Sequence, residues 1–365
     1  MKNNNFCVPE FFLGANTPRN FYSLFKELYN PDDDWFCHIL KGGPGTGKST
    51  LMKNISKKYT EQKISHEIIR CSSDPDSLDA VICEETKKSI VDGTAPHIID
   101  PVYPGVSDET INLGEFWKSK TLQKNKQKIM SLSKEIAKSH KLSTKFLNIF
   151  SYAHSQNTKI IKSMINYDNL NIFCEKFINK LKLNKLDIDS KIKKRFISSV
   201  TPQGYILLEK TAEQLCDKLF VIQDDYNIIS NIILSYVCDY ARNSNYNMII
   251  CPSPFDPDNI IESVFLPDIN IGLVTKNQFL DSEVLSNLDT KTEIINTKKF
   301  INRQEYSDFR NIINFNNKMC KKFLAESVQA LEKAKKIHDD LENIYSSSMN
   351  YSKLDKIISK IATGF

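Results

Sequence analysis

The sequence lacks the features that would indicate a membrane protein, a secreted protein or a disulfide-stabilised fold. No apolar run approaches the roughly 18 residues that a membrane span needs. The first residues, MKNNNFCVPEFF, have no basic segment followed by an apolar one, as a secretory signal would. The nine cysteines are scattered, without a CxxC pair or a cluster at metal-ligand spacing. We therefore expect reduced thiols, a cytoplasmic location and no membrane partner.

A strong excess of charge is also missing. The net charge is +5 over 365 residues, with 25% charged and 41% hydrophobic residues, which are ordinary values for a soluble globular protein. This charge is too weak to indicate nucleic acid by itself, so a nucleic-acid partner stays open but unsupported. The length is sufficient for two domains, and the oligomeric state is not predicted.

One segment has a specific pattern. GGPGTGKST, residues 42–50, matches the phosphate-binding motif G-x-x-x-x-G-K-[ST]. The preceding WFCHILK is typical of a strand, and the following STLMKNISKKY has the periodicity of a helix, which is the context that the motif requires. The expected nucleotide-binding residues are Gly42, Gly43, Gly45, Thr46, Gly47, Lys48, Ser49 and Thr50.

Each residue type in this loop suits a phosphate chain. Glycines let successive backbone N–H groups point at one anion, and the N-terminus of the following helix adds positive potential. Lys48 can reach the β- and γ-phosphates, and the Ser49 hydroxyl can ligate Mg²⁺, whereas Thr50 is the weaker candidate for that ligand. The pattern predicts a nucleoside triphosphate with Mg²⁺. No guanine-specificity motif such as NKxD is found in the expected place, which favours ATP over GTP.

A carboxylate that supports the metal is expected at the end of a neighbouring strand. HEIIRC and KKSIVD are predicted strands, and the polar residues after them should share the carboxyl edge of the sheet with the loop. Asp92 is the candidate, so Lys48 and Asp92 are the predicted catalytic residues, and Ser49 and Asp92 the predicted metal ligands. Asp100 is an alternative, and a strand-ending turn also explains Asp92 without a function.

Other polar residues near this edge have simpler explanations. The segment Asp-Pro-Asp-Ser from Asp74 is typical of a loop that caps a helix, so we expect a cap rather than contacts of Asp74 or Asp79 with a second substrate. His97, after Ala-Pro, is expected to be a structural loop residue.

The second half of the chain repeats the first weakly but in the same order. DPDSL at 74–78 recurs 182 residues later as DPDNI, and TPRNF at 17–21 recurs 184 residues later as TPQGY. Phe12 falls on Phe196 at the same displacement of 184. Internal repetition of this kind indicates two copies of one architecture.

The phosphate loop is not kept in the second copy. At a displacement of 182, Gly42 becomes Asp224, Gly43 becomes Asp225, Gly47 becomes Ile229, Lys48 becomes Ser230, Ser49 becomes Asn231 and Asp92 becomes Val274. Two carboxylates would then lie side by side where phosphate should enter, with no lysine to offset their repulsion. We therefore expect one active site and a degenerate second half.

The segments FFLGANTPRNFYSLF, ILKGGPGTGKSTLMK, CSSDPDSLDAVI and IVDGTAPH resemble an uncharacterised family of bacterial P-loop ATPase-like proteins built from two tandem P-loop halves. The resemblance spans nearly the whole chain and implies ATP binding, without an established substrate. In that family the second half often keeps its own phosphate loop, and this sequence departs from the family pattern there.

The expected fold is α/β, with two tandem P-loop NTPase-like domains that have mainly parallel sheets and a helical appendage each. The predicted division is a P-loop nucleotide-binding core at 1–118, a helical arm at 119–194, a degenerate P-loop-like core at 195–300 and a C-terminal helical arm at 301–365. We expect the helical arms to pack on the cores and on each other. The alternative is an extended arm or basic surface that contacts nucleic acid or a partner.

The predicted function is ATP binding with Mg²⁺-dependent hydrolysis at one site in the first half, beside a degenerate regulatory second half. No glutamate follows Asp92, so a general base is expected from elsewhere, for example Glu84 or Glu85. An arginine of the second half, such as Arg195 or Arg242, could act as a finger. A small-molecule or nucleotide kinase and a nucleotide-gated binding protein with little turnover stay open as alternatives, as does an unidentified protein partner or second substrate.

Overall fold

The computed structural model describes residue 6, residues 8–286 and residues 288–352. The first half contains β1 (Glu10–Phe11), β2 (Gly14–Asn16), β3 (Phe21–Ser23), β4 (Phe36–Lys41), α1 (Lys48–Glu61), β5 (Glu67–Cys71), β6 (Asp74–Cys83), β7 (Lys88–Asp92), β8 (Asp108–Asn112), α2 (Ser119–Lys124), α3 (Lys126–Ser163) and α4 (Tyr167–Leu181). Short 3-10 turns add Phe25–Glu27 and Leu113–Phe116.

The second half contains β9 (Ile192–Lys194), β10 (Ser198–Thr201), β11 (Gly204–Leu207), α5 (Glu209–Leu215), β12 (Lys218–Gln223), α6 (Ile229–Asn243), β13 (Met248–Pro252), β14 (Ile261–Leu266), β15 (Ile271–Lys276), β16 (Lys291–Asn296) and α7 (Arg303–Ser346). Its 3-10 turns are Pro267–Ile269 and Thr297–Phe300. Residues 353–365 of the predicted C-terminal arm lie outside the described residues.

Each half is built around a six-stranded sheet, and the two sheets have the same strand order. The first sheet runs β1-β5-β6-β7-β4-β8, and the second runs β9-β13-β14-β15-β12-β16. In each sheet one strand, β6 or β14, is antiparallel to both neighbours, and every other pair is parallel. The α/β class with mainly parallel sheets is therefore confirmed.

Hydrophobic periodicity explains why β4 is followed by a helix. Leu51, Met52, Ile55 and Tyr59 recur at steps of one to four residues along α1, and all four are fully buried. They form one apolar stripe that packs on β6 and β7. This packing holds the start of α1 at the carboxyl end of β4, where the loop 42–47 lies.

The DPDS segment does not cap a helix, and that prediction is wrong. Residues from Asp74 to Cys83 form β6, which pairs with β5 on one side and β7 on the other. The run from Leu78 onwards is buried on both faces, as in a central strand, and the sheet pairing overrides the local turn signal. The local hydrogen bond from Ser77 Oγ to Asp74 Oδ2 (2.8 Å) is present, but no helix follows it.

The two halves meet around an approximate two-fold axis. Phe12 and Phe196, which are 184 residues apart, exchange backbone hydrogen bonds of 2.8 and 2.9 Å with each other. Ser143 on α3 and Ser327 on α7, separated by the same 184 residues, share a buried hydroxyl hydrogen bond of 2.7 Å. The pairing of residues with their own counterparts shows that the repeat relates the two halves in space as well as in sequence.

The long helices α3 and α7 pack against each other in antiparallel orientation, as expected for the helical arms. Phe146 stacks on Phe323, and further along α3 the side chain of Asn157 bonds to the carbonyl of Ile313 at 3.1 Å. The end of each helix reaches the opposite half: the chain after α7 forms a bridge to the first half, and the chain after α3 forms a bridge to the second. Within the described part of the chain, no helix combines the length and the apolar content that a membrane crossing requires.

Candidate functional site

The loop 42–47 has the backbone form that a phosphate chain would need. It connects β4 to α1, and Gly45 and Gly47 have φ angles of 68° and 82°, which favour glycine. In the described residues, the backbone N–H groups of Gly45, Gly47 and Lys48 have no protein acceptor. Together with the first turn of α1, the loop therefore offers several free donors at the carboxyl end of β4.

Lys48 and Asp92, the two predicted catalytic residues, lie together beside this loop. Lys48 Nζ donates to the carbonyls of Gly42 and Gly43 at 2.7 and 2.9 Å, and lies 3.5 Å from Asp92 Oδ2. Asp92 ends β7, whose register places it beside Leu40 of β4. Both side chains are mostly buried, with 10% and 16% exposure. The ammonium group is thus held at the loop by oxygen atoms alone.

The other predicted ligands differ in their exposure and in their contacts. Ser49 lies in the first turn of α1, where its Oγ accepts a hydrogen bond of 3.0 Å from Leu78 N on β6. Thr50 follows in the same turn and is exposed. Asp100, the alternative to Asp92, is 77% exposed and pairs with Lys41 at 3.0 Å. The structure therefore favours Ser49 and Asp92 over Thr50 and Asp100.

A second carboxylate, which sequence reasoning did not select, lies next to Asp92. Asp79 is on β6, directly before the residue that pairs with Val91, so the two aspartates are neighbours across β6 and β7. Burial raises the pKa of Asp79 to about 6, and the charge of Asp92 adds to the rise, while His97 and Lys48 oppose it. His97 Nε2 is 4.0 Å from Asp79 Oδ1. Only the pairing of β6 could have identified this residue.

His97 is buried, as expected of a structural residue. Its ring stacks on Phe25 with centroids 4.2 Å apart, and neither ring nitrogen has a hydrogen-bond partner among the described residues. The side chain therefore packs like an aromatic ring while it faces the Asp79 carboxylate.

The register of the second sheet corrects the predicted counterpart of Asp92. Leu40 pairs with Asp92 in the first sheet, and Ile222 pairs with Thr275 in the second. The counterpart is therefore Thr275 and not Val274, because a shift of one residue accumulates between the two copies. Thr275, like Val274, has no carboxylate, so the second half still lacks the counterpart of the Asp92 carboxylate.

In the second half, an aspartate of the loop after β12 accepts hydrogen bonds from the backbone of the same loop. Asp224, the counterpart of Gly42, is 3% exposed, and its two oxygens accept backbone hydrogen bonds from Tyr226 N (3.1 Å) and Ser230 N (2.8 Å). The side chain of Asp225 is 39% exposed, and its Oδ2 lies 3.8 Å from Lys298 Nζ. The expectation of two aspartates side by side is wrong, because backbone donors hold one carboxylate inside while the other faces solvent.

Helix α7 covers the first-half loop. A Cβ on Gly45 would lie 2.9 Å from the carbonyl oxygen of Glu342, and one on Gly43 would touch Trp117 and Tyr345. Further back on α7, Lys335 Nζ lies 3.5 Å from Asp74 Oδ2 at the start of β6. The second half therefore reaches the loop through α7.

This face of α7 carries several ionisable groups that sequence reasoning missed. His338, Asp339 and Glu342 present ligand atoms within 4.8 Å of one another, a spacing that a metal ion could bridge. Lys335 already neutralises Asp339 through an ion pair of 2.5 Å. Nothing local marks these residues, because only the tertiary fold brings α7 to the loop.

The other suggested catalytic groups lie away from the loop. Glu84 and Glu85 follow β6 at the end of the sheet opposite to the loop, so the prediction of a general base from either is wrong. Arg195 is buried and bonds to Glu67 at 2.8 Å, at the beginning of β5. Arg242 is in the last turn of α6 and pairs with Asp239 on the surface. Neither arginine can reach the loop as a finger.

No family model, curated protein or solved structure matches the chain in the comparisons with known proteins.

Proposed function

We propose that the first half binds a nucleoside triphosphate together with Mg²⁺ and hydrolyses it at this single site, with ATP as the expected nucleotide. The observation that carries the proposal is the contrast between the two loops. In the described residues the backbone N–H of Lys48 has no acceptor, whereas the corresponding N–H in the second half, that of Ser230, donates to the Asp224 carboxylate. A loop whose backbone N–H donors lack an acceptor suits the oxygen atoms of a phosphate chain.

The free N–H groups and Lys48 would bind the phosphates. Lys48 now donates to two carbonyls and faces Asp92, and it would exchange these partners for phosphate oxygens. Charge-assisted hydrogen bonds of this kind are stronger than the neutral ones they replace. Lys48 therefore provides the cation that offsets phosphate charge.

Ser49 and Asp92 fit a magnesium ion, since hydroxyl and carboxylate oxygens are the ligands it prefers. In the structure the Lys48 ammonium lies 3.5 Å from Asp92 Oδ2, so this carboxylate already faces a cation. The bound ion would neutralise charge on the β- and γ-phosphate oxygens.

Asp79 is the group best placed to accept the proton of an attacking water. It neighbours Asp92, and burial raises its pKa to about 6, close to the range in which general bases work. Lys335 on α7 is the basic group of the second half that approaches the site, through its contact with Asp74.

A nucleotide-gated switch with little turnover is the second candidate. It is favoured by the direct packing of α7 on Gly45, because a ligand at the loop would change this contact. Phosphate release in steady state without an added acceptor supports the hydrolase. Tight binding with negligible release supports the switch.

The experiment is a titration of fluorescent ATP and GTP analogues, each with and without Mg²⁺, against the wild type and two variants. Lys48→Ala should weaken binding by about 50-fold, since it removes a charged hydrogen-bond partner worth about 1.5–3 kcal/mol. The matched control is Ser230→Ala, the counterpart in the second half, which should bind like the wild type. Unchanged affinity of Lys48→Ala would remove the loop from the proposal.

A further inference from the structure

The second half contains a cavity at the place where the first half has its covered loop. The cavity has a volume of about 130 Å³ and lies between α3 and the loop that follows β12. Its walls include Phe150, His154, Tyr226, Asn227, Phe255 and Phe279. The position is equivalent because α3 crosses this loop as α7 crosses the first, and because Asn227 is the counterpart of Gly45.

The walls combine four aromatic side chains and one imidazole with several polar side chains. The ring of Phe150 lies 4.6 Å from that of Phe255 and 4.9 Å from that of Phe279, so three rings enclose one side. His154 faces them, and burial lowers its pKa to about 4, which leaves the imidazole neutral at pH 7. These surfaces favour an apolar ring.

Anions are disfavoured here. The Asp224 carboxylate, which is not itself in the wall, already occupies the backbone donors of Tyr226 and Ser230, and Asp256 contributes a carboxylate to the wall. An anionic ligand would meet these charges without a compensating cation among the lining residues. The second half therefore selects against the phosphate chain proposed for the first.

One polar atom in the wall has no partner. Asn227 is 6% exposed, and its Oδ1 is buried without a hydrogen bond. A buried carbonyl without a donor destabilises the structure, and a ligand that supplies the donor removes this penalty. Its φ of 55° places its backbone in the left-handed region, and Asn227 is one of the residues that line the cavity.

We propose that this cavity binds a small uncharged molecule, one six-membered ring in size, that carries an O–H or N–H donor for Asn227. The volume of about 130 Å³ suits this size, since a cavity of about 150 Å³ accommodates benzene. The degenerate half would then be a ligand site of a different chemical class and not an empty copy. This inference does not depend on nucleotide binding in the first half.

The test uses phenol as the probe, with benzene and benzoate as comparisons, and follows binding to the full chain by calorimetry and by amide chemical shifts. Phenol should bind saturably and shift amides of Tyr226 and Asn227. Benzene, which has no donor, should bind about fivefold more weakly, as expected for one lost hydrogen bond. Benzoate should not bind. Absence of saturable phenol binding, or equal binding of benzoate, would overturn the proposal.

Two variants locate the site. Ser155→Leu fills the cavity from α3, where the Ser155 hydroxyl only bonds to the carbonyl of Tyr152 in its own helix, and should weaken phenol at least tenfold. Ser163→Leu is the matched control, because this exposed hydroxyl bonds in the same way to the carbonyl of Ile160 outside the cavity. Asn227→Gly removes the acceptor without backbone strain, and it should make the affinities for phenol and benzene equal. Equal phenol affinity in both leucine variants would show that the probe binds elsewhere.

Discussion

The carboxylate of Asp224 should be a principal stabilising group of the second-half loop. It is 3% exposed and accepts two backbone hydrogen bonds, at 2.8 and 3.1 Å. Hydrogen bonds to a charged group contribute about 1.5–3 kcal/mol each, and their loss also leaves two donors unsatisfied. Burial raises the pKa of Asp224, so the cost of burying its charge offsets part of this gain. We expect Asp224→Ala to lower the free energy of unfolding by about 3 kcal/mol.

Urea unfolding at pH 7 measures this change, provided that the m-values of the variants agree. Asp225→Ala is the matched control, because Asp225 is 39% exposed and its carboxylate only approaches the surface lysine Lys298. That variant should stay within about 0.5 kcal/mol of the wild type. Asp224→Asn keeps one acceptor oxygen and should lose about half as much as Asp224→Ala. Equal losses for the two alanine variants would refute the idea that the carboxylate replaces an anion in the loop.

Three further predictions concern buried contacts. Ser143→Ala and Ser327→Ala should each cost about 1–2 kcal/mol by leaving one buried hydroxyl alone, and the double variant should cost clearly less than their sum in urea unfolding. Burial raises the pKa of Glu262 from 4.5 to about 7, so the folded state binds its proton more tightly than the unfolded chain. The free energy of unfolding should fall by about 3 kcal/mol between pH 4.5 and 7 from this group, and Glu262→Gln should remove that slope. Gly45→Ala should destabilise more than Gly105→Ala, because both have positive φ but only the first would meet a main-chain oxygen of α7. Equal melting temperatures of the two alanine variants would contradict the contact with α7.

Short-range patterns were sufficient to predict the strand, loop and helix around Lys48. All the signals involved lie within residues 35–59: the apolar run, the glycines after it and the apolar stripe of α1. The position of Asp92 could also be predicted, because parallel neighbours place their carboxyl ends at one edge of a sheet. The structure confirms that Lys48 and Asp92 lie together.

Longer-range features were not predictable in the same way. The segment from Asp74 has a local turn signal, yet pairing with strands on both sides makes it β6. That strand brings Asp79 beside Asp92, which no motif around Asp79 indicates. Likewise, the register of β12 and β15 makes Thr275 the counterpart of Asp92, whereas a constant displacement selects the wrong neighbour.

The sequence by itself determined the loop, its single intact copy and the repeated order of elements, since these depend on residue types at short, regular spacings. Only the tertiary structure decided what surrounds the loop. Lys335 contacts Asp74 although they are far apart in the chain, and Asp224 turns inward to backbone donors that its neighbour does not reach. The contact of Lys335 depends on how the two halves pack around their two-fold axis, and that of Asp224 on the backbone conformation of the loop after β12; residue order alone specifies neither.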